Sequence, residues 1–177
     1  METLASEVIL RPLALSDVPT CAAWALDNLF CEHAGWTADA VVAEEHWRKL
    51  ITQPKPDHLR LAAVAGEQVV GYVDFAGDEE RRRELGYVVG PSARWGQGLG
   101  GTVARRGLEH GFGELKLDEI WAEAVDANEA SIRILTSLGM IETGRGEDEI
   151  FLGVPSFYRQ FVIGRGDFSV RGASLSG

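Results

Sequence analysis

PSARWGQGLGGT, residues Pro91 to Thr102, sets four glycines (96, 98, 100 and 101) within six positions. A strand-like segment, Glu84 to Gly90, leads into it, and a helix-like one, Thr102 to Phe112, leads out. Glycines at a helix mouth leave main-chain N–H groups bare, so an anion can approach closely where the helix dipole favours negative charge. A diphosphate is the expected occupant. Gly96, Gly98 and Gly101 also satisfy the G-x-G-x-x-G pattern of dinucleotide-binding folds, but the context is wrong for it. That fingerprint starts where the opening strand of a parallel sheet ends. Here Pro91 to Trp95 intervene, and the segments upstream read as an antiparallel meander.

Working outward, Val8 to Pro12 alternates as an edge strand does, and Ser16, Asp17 and Pro19 open a helix carrying Cys21 to Asp27. Asn28 to Trp36 reads as a loop. Thr37 is placed to cap a second helix whose apolar stripe is Val41, Val42, His46, Leu50 and Ile51, ended by Pro54 and Pro56. Arg60 to Ala65 and Gln68 to Phe75 flank a Gly66-Glu67 turn as a hairpin, and the charged run Asp78 to Arg83 turns the chain into Glu84 to Gly90. Beyond the glycine loop come a strand (Glu119 to Val125), a helix (Asn128 to Leu138, closed by Gly139) and a final strand pair, Met140 to Glu147 with Ser156 to Ile163. The fold class is α/β with a mixed sheet, in the order β-α-α-β-β-β-α-β-α-β-β. Residues 1–163 form one domain, and residues 164–177, rich in Gly and Ser, read as a C-terminal tail without a role.

Trp95-Gly96-Gln97-Gly98-Leu99-Gly100 resembles motif A of the GNAT superfamily of N-acetyltransferases, R/Q-x-x-G-x-G/A, with Trp95 at the place of the leading Arg or Gln. Ile9 to Asp17 (ILRPLALSD) and Asp126 to Met140 (DANEASIRILTSLGM) resemble signature segments of its ribosomal-protein alanine acetyltransferase branch. The element order is similar to the GNAT fold from Val8 to Ile163. The resemblance implies acetyl-CoA as co-substrate, with the acetyl group passing to a primary amine by direct attack in a ternary complex. The amine belongs to a protein N-terminus or to a small molecule. A non-catalytic acyl-CoA-binding or sensing domain is the alternative.

Transfer from a thioester to an amine needs a proton acceptor for the amine, donors for the developing oxyanion, and help for the departing thiolate. In Glu84 to Gly90, alternation puts Leu85, Tyr87 and Val89 toward a core and leaves Glu84 and Val88 on the cleft face. Glu84 lies fourteen positions before Gly98 (98 minus 84), a spacing similar to that of the catalytic glutamate in histone-acetylating members; it is a candidate base or a solvated strand-end charge. By the resemblance, main-chain groups of Val88 and Val89 pair with the pantetheine arm, while Trp95, Gly96, Gln97, Gly98, Leu99, Gly100, Gly101 and Thr102 hold the diphosphate. Asn128 matches an asparagine that reaches the arm and is equally a preferred helix N-cap. The tyrosine that family members place seven residues later, as acid for the thiolate, is Leu135 here. Ser131 takes the position of a serine proposed for that task, or only caps its helix through a local bond, and Tyr158 is a weaker candidate that otherwise reads as core. Glu32, His33 and Trp36 fall in the segment that overhangs the acceptor pocket in this family, where aromatic and acidic side chains either hold an amine or merely close the core.

Composition narrows the partners. The net charge of -10 argues against sequence-independent nucleic-acid binding, which needs dense Lys and Arg, and is compatible with a cationic acceptor or with a role in solubility alone. The sequence lacks a membrane-length apolar run, and its four histidines lack metal-type spacing, so neither membrane nor metal is expected. METLASEVIL has no basic n-region with a long apolar run, and two cysteines ten apart form no cluster; a cytoplasmic chain with reduced thiols is expected. Monomer and homodimer remain equally open.

Overall fold

The computed structural model describes residues 7–174. Seven strands form one mixed sheet in the order β1-β2-β3-β4-β5-β7-β6: β1 Val8–Pro12, β2 His58–Ala65, β3 Gln68–Ala76, β4 Arg82–Val89, β5 Glu119–Val125, β6 Ile141–Phe151 and β7 Val154–Gly164. The helices are α1 Val18–Ala23, α2 Asn28–Ala34, α3 Ala40–Thr52, α4 Leu99–Gly113, α5 Glu129–Ser137 and α6 Arg165–Ser174. No helix among the described residues is long and apolar enough to cross a membrane.

Alternation along the strands builds two cores. Leu85 and Val89 of β4, Ile120, Ala122 and Ala124 of β5, and Phe161 and Ile163 of β7 face α4 and α5, packing on Val103, Leu108 and Leu135. The opposite face of β2 and β3 gives Ala62, Val64, Val69 and Tyr72 to α1, α2 and α3, where Trp24, Phe30 and Trp47 fill the layer. Each fully buried Leu or Phe is worth about 1.5–3 kcal/mol, so the two layers clamp the sheet from both sides.

One discontinuity positions the site. Among the described residues the sole parallel pair joins β4 and β5, and it covers only Arg82 with Glu119, Arg83 with Ile120 and Glu84 with Trp121. β4 then stays with β3 as far as Val89 opposite Gly71, and β5 stays with β7 as far as Val125 opposite Tyr158. The two strands therefore diverge beyond Glu84 and leave a V-shaped gap. At its closed end Arg81 pairs with Asp118 at 2.5 Å and Arg82 with Glu119 at 2.6 Å. Exposed pairs add little stability; these link the starts of the two parallel strands.

The segment expected as a loop, Asn28 to Trp36, contains helix α2. Asp27 caps it by accepting from Phe30 N, and Gly35 closes it in the left-handed region (φ 68°). Asp39 rather than Thr37 caps α3, through Val41 N and Val42 N. The buried stripe is accordingly Ala43 and Trp47, with the expected Leu50 and Ile51 packed against it and Val41 and Val42 in solvent. Trp47 wins because it alone fills the space among Trp24, Trp36 and Tyr72, with ring centroids 5.4–6.2 Å away. Where a tail was expected, α6 runs to Ser174; residues 175–177 lie outside the described part. Arg165 holds it by donating to the carbonyl of Phe112 (3.1 Å), in the last turn of α4 where acceptors lack helical partners, and to that of Leu117 (2.5 Å) beyond the helix, and Phe168 packs on Phe112.

Candidate active site

The gap exposes main chain on its β4 side. Gly90 N donates to Val70 O at 3.0 Å, so by alternation Val88 also pairs toward β3, and its carbonyl is pressed against Gly71. The amide groups of Tyr87 and Val89 are the ones turned to the open edge. Of the two main-chain groups expected there, Val89 is thus at the edge, while Val88 is engaged with β3 and Tyr87 takes its place.

The glycine loop sits at the end of this edge. Gly96 (φ 75°) and Gly98 (φ 80°) are left-handed, Gly98 serves as N-cap of α4, and a Cβ added at Gly96, Gly98 or Gly101 would meet nothing within 4 Å. The first intrahelical bond, from Thr102 N to Gly98 O, leaves the N–H groups of Leu99, Gly100 and Gly101 ahead of it without an intrahelical partner. That is an anion cradle by construction, and a diphosphate fits it. Leu99 itself is buried in the core, so only its main chain can take part. Trp95 does not face the cradle: its Nε1 donates to Val89 O at 2.8 Å, and the ring packs between the two cores. Its job is to pin the loop to β4. Gln97 donates to Ala93 O (3.1 Å) within the loop, and Arg106 pairs with Glu109 at 2.7 Å.

On the face opposite α4 and α5, the cleft is acidic. Glu84 is half-buried, and burial first, then the charges of Glu123 and Asp74, push its carboxyl up from the ordinary range. Glu123 on β5 accepts from Gln160 of β7 at 2.8 Å. Tyr158, also on β7, donates to Glu149 at 3.1 Å, and burial, that bond and the charges of Glu123 and Glu84 push its hydroxyl up to about 12. Tyr158 is therefore part of the cleft rather than of the core. A carboxylate that resists ionisation binds a proton more readily, as a base acting on an amine must.

Across the gap, Asn128 caps α5 by accepting from Ser131 N at 3.3 Å, which leaves its amide N–H groups unused in that bond. Leu135, where the family tyrosine would stand, is wholly buried core. Ser131 Oγ meets Tyr87 Oη at 2.8 Å. Alternation assigned Tyr87 to the core, and its ring does pack there; nothing in the one-dimensional pattern shows that its hydroxyl spans to α5.

Helix α2 lies against the segment after β4 and the β6–β7 hairpin. Asp27 also accepts from Ser92 N at 2.7 Å, tying α2 to the turn after β4; hydrogen bonding from the Ser92 side chain first, then from the Phe30 amide, holds its carboxyl below the ordinary range. His33 lies edge-on between Trp95 (4.8 Å) and Phe151 of the β6–β7 hairpin (5.1 Å). Glu32 is exposed on the same helix, and Trp36 packs into the aromatic layer against Phe30, at 5.0 Å. Among the described residues no group of three His, Cys, Asp or Glu side chains is arranged to hold a metal ion.

Residues 7–141 match the family model described as Acetyltransferase (GNAT) domain, which is most of the chain. The chain belongs to the GNAT acetyltransferase family. An uncharacterized N-acetyltransferase, p20 of Bacillus licheniformis, is 25% identical over 152 residues, covering 81% of this GNAT chain and 85% of that protein. The spermidine N-acetyltransferase of Vibrio cholerae, solved in complex with CoA and spermine, superposes with a TM-score of 0.78 at 18% identity, covering 93% of this chain and 99% of that one. A crystal structure of the Vibrio cholerae enzyme with manganese ions gives 0.74 at 20% identity, over 95% and 98%. At such identities the superpositions establish the fold, which is the one expected from the sequence; they do not single out the ribosomal-protein branch.

Proposed function

We propose that this GNAT protein transfers the acetyl group of acetyl-CoA to a primary amine of a small cationic molecule, both substrates being bound together. The observation that carries the reading is the divergence of β4 from β5 just beyond Glu84, with an open glycine cradle at one end and a carboxylate cleft at the other. Acetyl-CoA supplies the acyl group as an activated thioester. The N–H groups of residues 99–101 receive its diphosphate, Tyr87 and Val89 offer main-chain partners to its arm, and Asn128 closes over it.

Glu84 accepts the proton that the attacking amine must lose as its C–N bond forms, directly or through one water. The carbon–sulfur bond breaks with its electron pair remaining on sulfur. Glu123 and Glu149 lie on the same face, so the acceptor is drawn as a cation, while Asp74 is already paired with Arg60 at 2.5 Å; His33, Trp95 and Phe151 wall the entrance. The polyamines named with the Vibrio cholerae neighbours make spermidine the first acceptor to try.

The test is thiol release from acetyl-CoA over a panel of spermidine, aminoglycoside-type amines and peptides with free N-termini. Amine-dependent release led by a small cation supports the reading. Release with N-terminal peptides alone would move the acceptor to proteins, and tight CoA binding without release on any amine would mean that the domain senses its ligand instead of using it.

A further inference from the structure

We propose that a pocket between the C-terminal end of α3 and the start of β2 binds a small amphipathic anion, a monocarboxylate with a compact apolar body such as a medium-chain or aryl-alkyl acid. The inference stands apart from the acetyl-transfer reading. β2 carries the pocket, and β3 lies between it and the cleft carboxylates of β4 and β5.

Shape and walls supply the first argument. β1 ends at Pro12 opposite Leu61, so His58 to Arg60 of β2 have no β1 partner, and the pocket opens where that edge is left bare. Its volume of about 420 Å³ falls within the ~300–1,000 Å³ of small-molecule sites. Leu13, Leu50, Ile51, Pro54 and Leu59 give it apolar walls. Leu50 and Ile51 are half-buried and Leu59 is 38% exposed, so an apolar body seated there takes their remaining surface out of water.

Charge selects the ligand. The chain has a net charge of -10, yet the lining holds Lys49, Lys55, Arg60, His46 and His58 and no carboxylate, with two of the three lysines of the sequence among them. Three of these groups supply no free charge. Arg60 donates to both oxygens of Asp74, at 2.5 and 2.8 Å, and lies over the rings of Tyr72 and Trp47. His58 meets the same carboxylate at 3.1 Å. Burial first, then the charges of Arg60 and His58, push the His46 imidazole below its ordinary range, so near neutral pH it offers an N–H instead of a charge. Lys49 and Lys55 remain, and among the described residues neither takes part in an ion pair; Glu44, on the same helix as Lys49, is held by Arg48 at 2.8 Å. The end of α3 offsets them by only about half a negative charge. A surplus of one to two positive charges beside apolar walls matches one carboxylate on an apolar body, whereas a polyanion would outnumber the lysines and leave the walls wet.

The experiment is NMR and calorimetric titration of the full-length protein, without CoA, using hexanoate and phenylbutyrate, with hexanol, phenylbutanol and inorganic phosphate as comparators. It is repeated on the double variant Lys49→Gln/Lys55→Gln and on Leu59→Ser. Amide shifts should gather on residues 49–61 and saturate with one acid per chain. The alcohols keep the body and lose the charge, so they should bind at least about tenfold more weakly, the scale of a hydrogen bond to a charged group. The double lysine variant should lose a similar factor for the acids, and Leu59→Ser about fivefold through lost apolar contact. All three altered side chains are exposed, so thermal unfolding should stay near that of the unaltered protein. Acids and alcohols binding alike, or acids binding undiminished in the double variant, overturns the proposal. So does the absence of saturable shifts at residues 49–61, or their gathering on the glycine loop instead. Phosphate saturating the same amides as tightly as the acids would reduce the pocket to a bare pair of cations, and overturns it too. None of these outcomes bears on acetyl transfer, which the amine panel tests separately.

Discussion

A single methyl group at Gly71 should disturb the coenzyme edge more than it disturbs any side chain. Gly71 of β3 faces Val89, and a Cβ built on it would overlap the Val88 carbonyl oxygen, with the Val88 carbonyl carbon 3.2 Å and Val89 Cα 3.3 Å away. Carbon–oxygen contacts between strands settle at about 3.3 Å, so β4 must retreat from β3 by about an ångström. Overpacking a core costs about 1–3 kcal/mol, and the upper end applies because the obstacle is main chain, which has no rotamer to change. At about 2–4 °C per kcal/mol for a domain of this size, Gly71→Ala should melt about 6–12 °C lower. The retreat pushes Tyr87 and Val89 into the gap, so CoA affinity should fall about tenfold, or 1.4 kcal/mol. Gly86→Ala is the internal control: it sits in the same strand pair, and its Cβ would rest 3.5 Å from Asp74 Cβ, an ordinary contact. Thermal unfolding and calorimetric CoA titration of both variants decide the matter. If Gly71→Ala melts within about 2 °C of Gly86→Ala, the close approach of the two strands is wrong, and so is the argument for which amides face the gap.

Gly98→Asp sets a carboxylate at the N-cap of α4, in the space left for a diphosphate, and should weaken CoA binding by about ten- to a thousandfold, 1.4 to 4 kcal/mol; a folded variant with unchanged calorimetric affinity would refute the cradle. Glu84→Gln should lower kcat by about 10² to 10⁴ at constant CoA affinity, with partial recovery at high pH as free amine accumulates, and kcat equal to the unaltered enzyme's would leave Glu84 a mere strand charge. The same variant should unfold at a higher temperature at neutral pH. Burial and the charges of Glu123 and Asp74 raise the folded carboxyl, so its ionisation weighs on the native state, and the gain should vanish below the ordinary glutamate range. Asp17 behaves oppositely. Buried and bonded to Arg11 at 2.7 and 2.8 Å and to Ala14 N at 2.8 Å, its carboxyl is held low, so its stabilisation is present above about pH 4 and lost as pH falls through the folded value. Asp17→Asn should cost about 1.5–3 kcal/mol at pH 7 and show a flatter acid limb in melting temperature against pH.

What could be read in the chain was what short-range chemistry determines. The meander, the glycine-to-helix junction, β5 and the capped start of α5 follow from period-two patterns, turn residues and an N-cap asparagine, all complete within a few positions. Helix α2 was hidden because its cap, Asp27, also serves Ser92, sixty-five positions away, and its seven residues carry too little periodicity to announce themselves. Helix α6 was hidden by its Gly and Ser content, since what holds it is the fit of Arg165 onto carbonyls near the end of α4. The phase of α3 was misread for a related reason: Val41 and Val42 are the more apolar pair, yet the aromatic layer had room for Trp47.

The candidate site divides along the same line. Glu84 and the glycines lie within one continuous segment, where strand alternation and helix capping suffice to aim them. Tyr87 sits in that segment too, but its meaning depends on Ser131, which reaches it only because β5 parts from β4 and brings α5 back over the gap. A tyrosine in a strand can be read as core from sequence, and the ring here obeys that reading. The hydroxyl does not, and a buried hydroxyl without a partner costs enough that its partner's location is information.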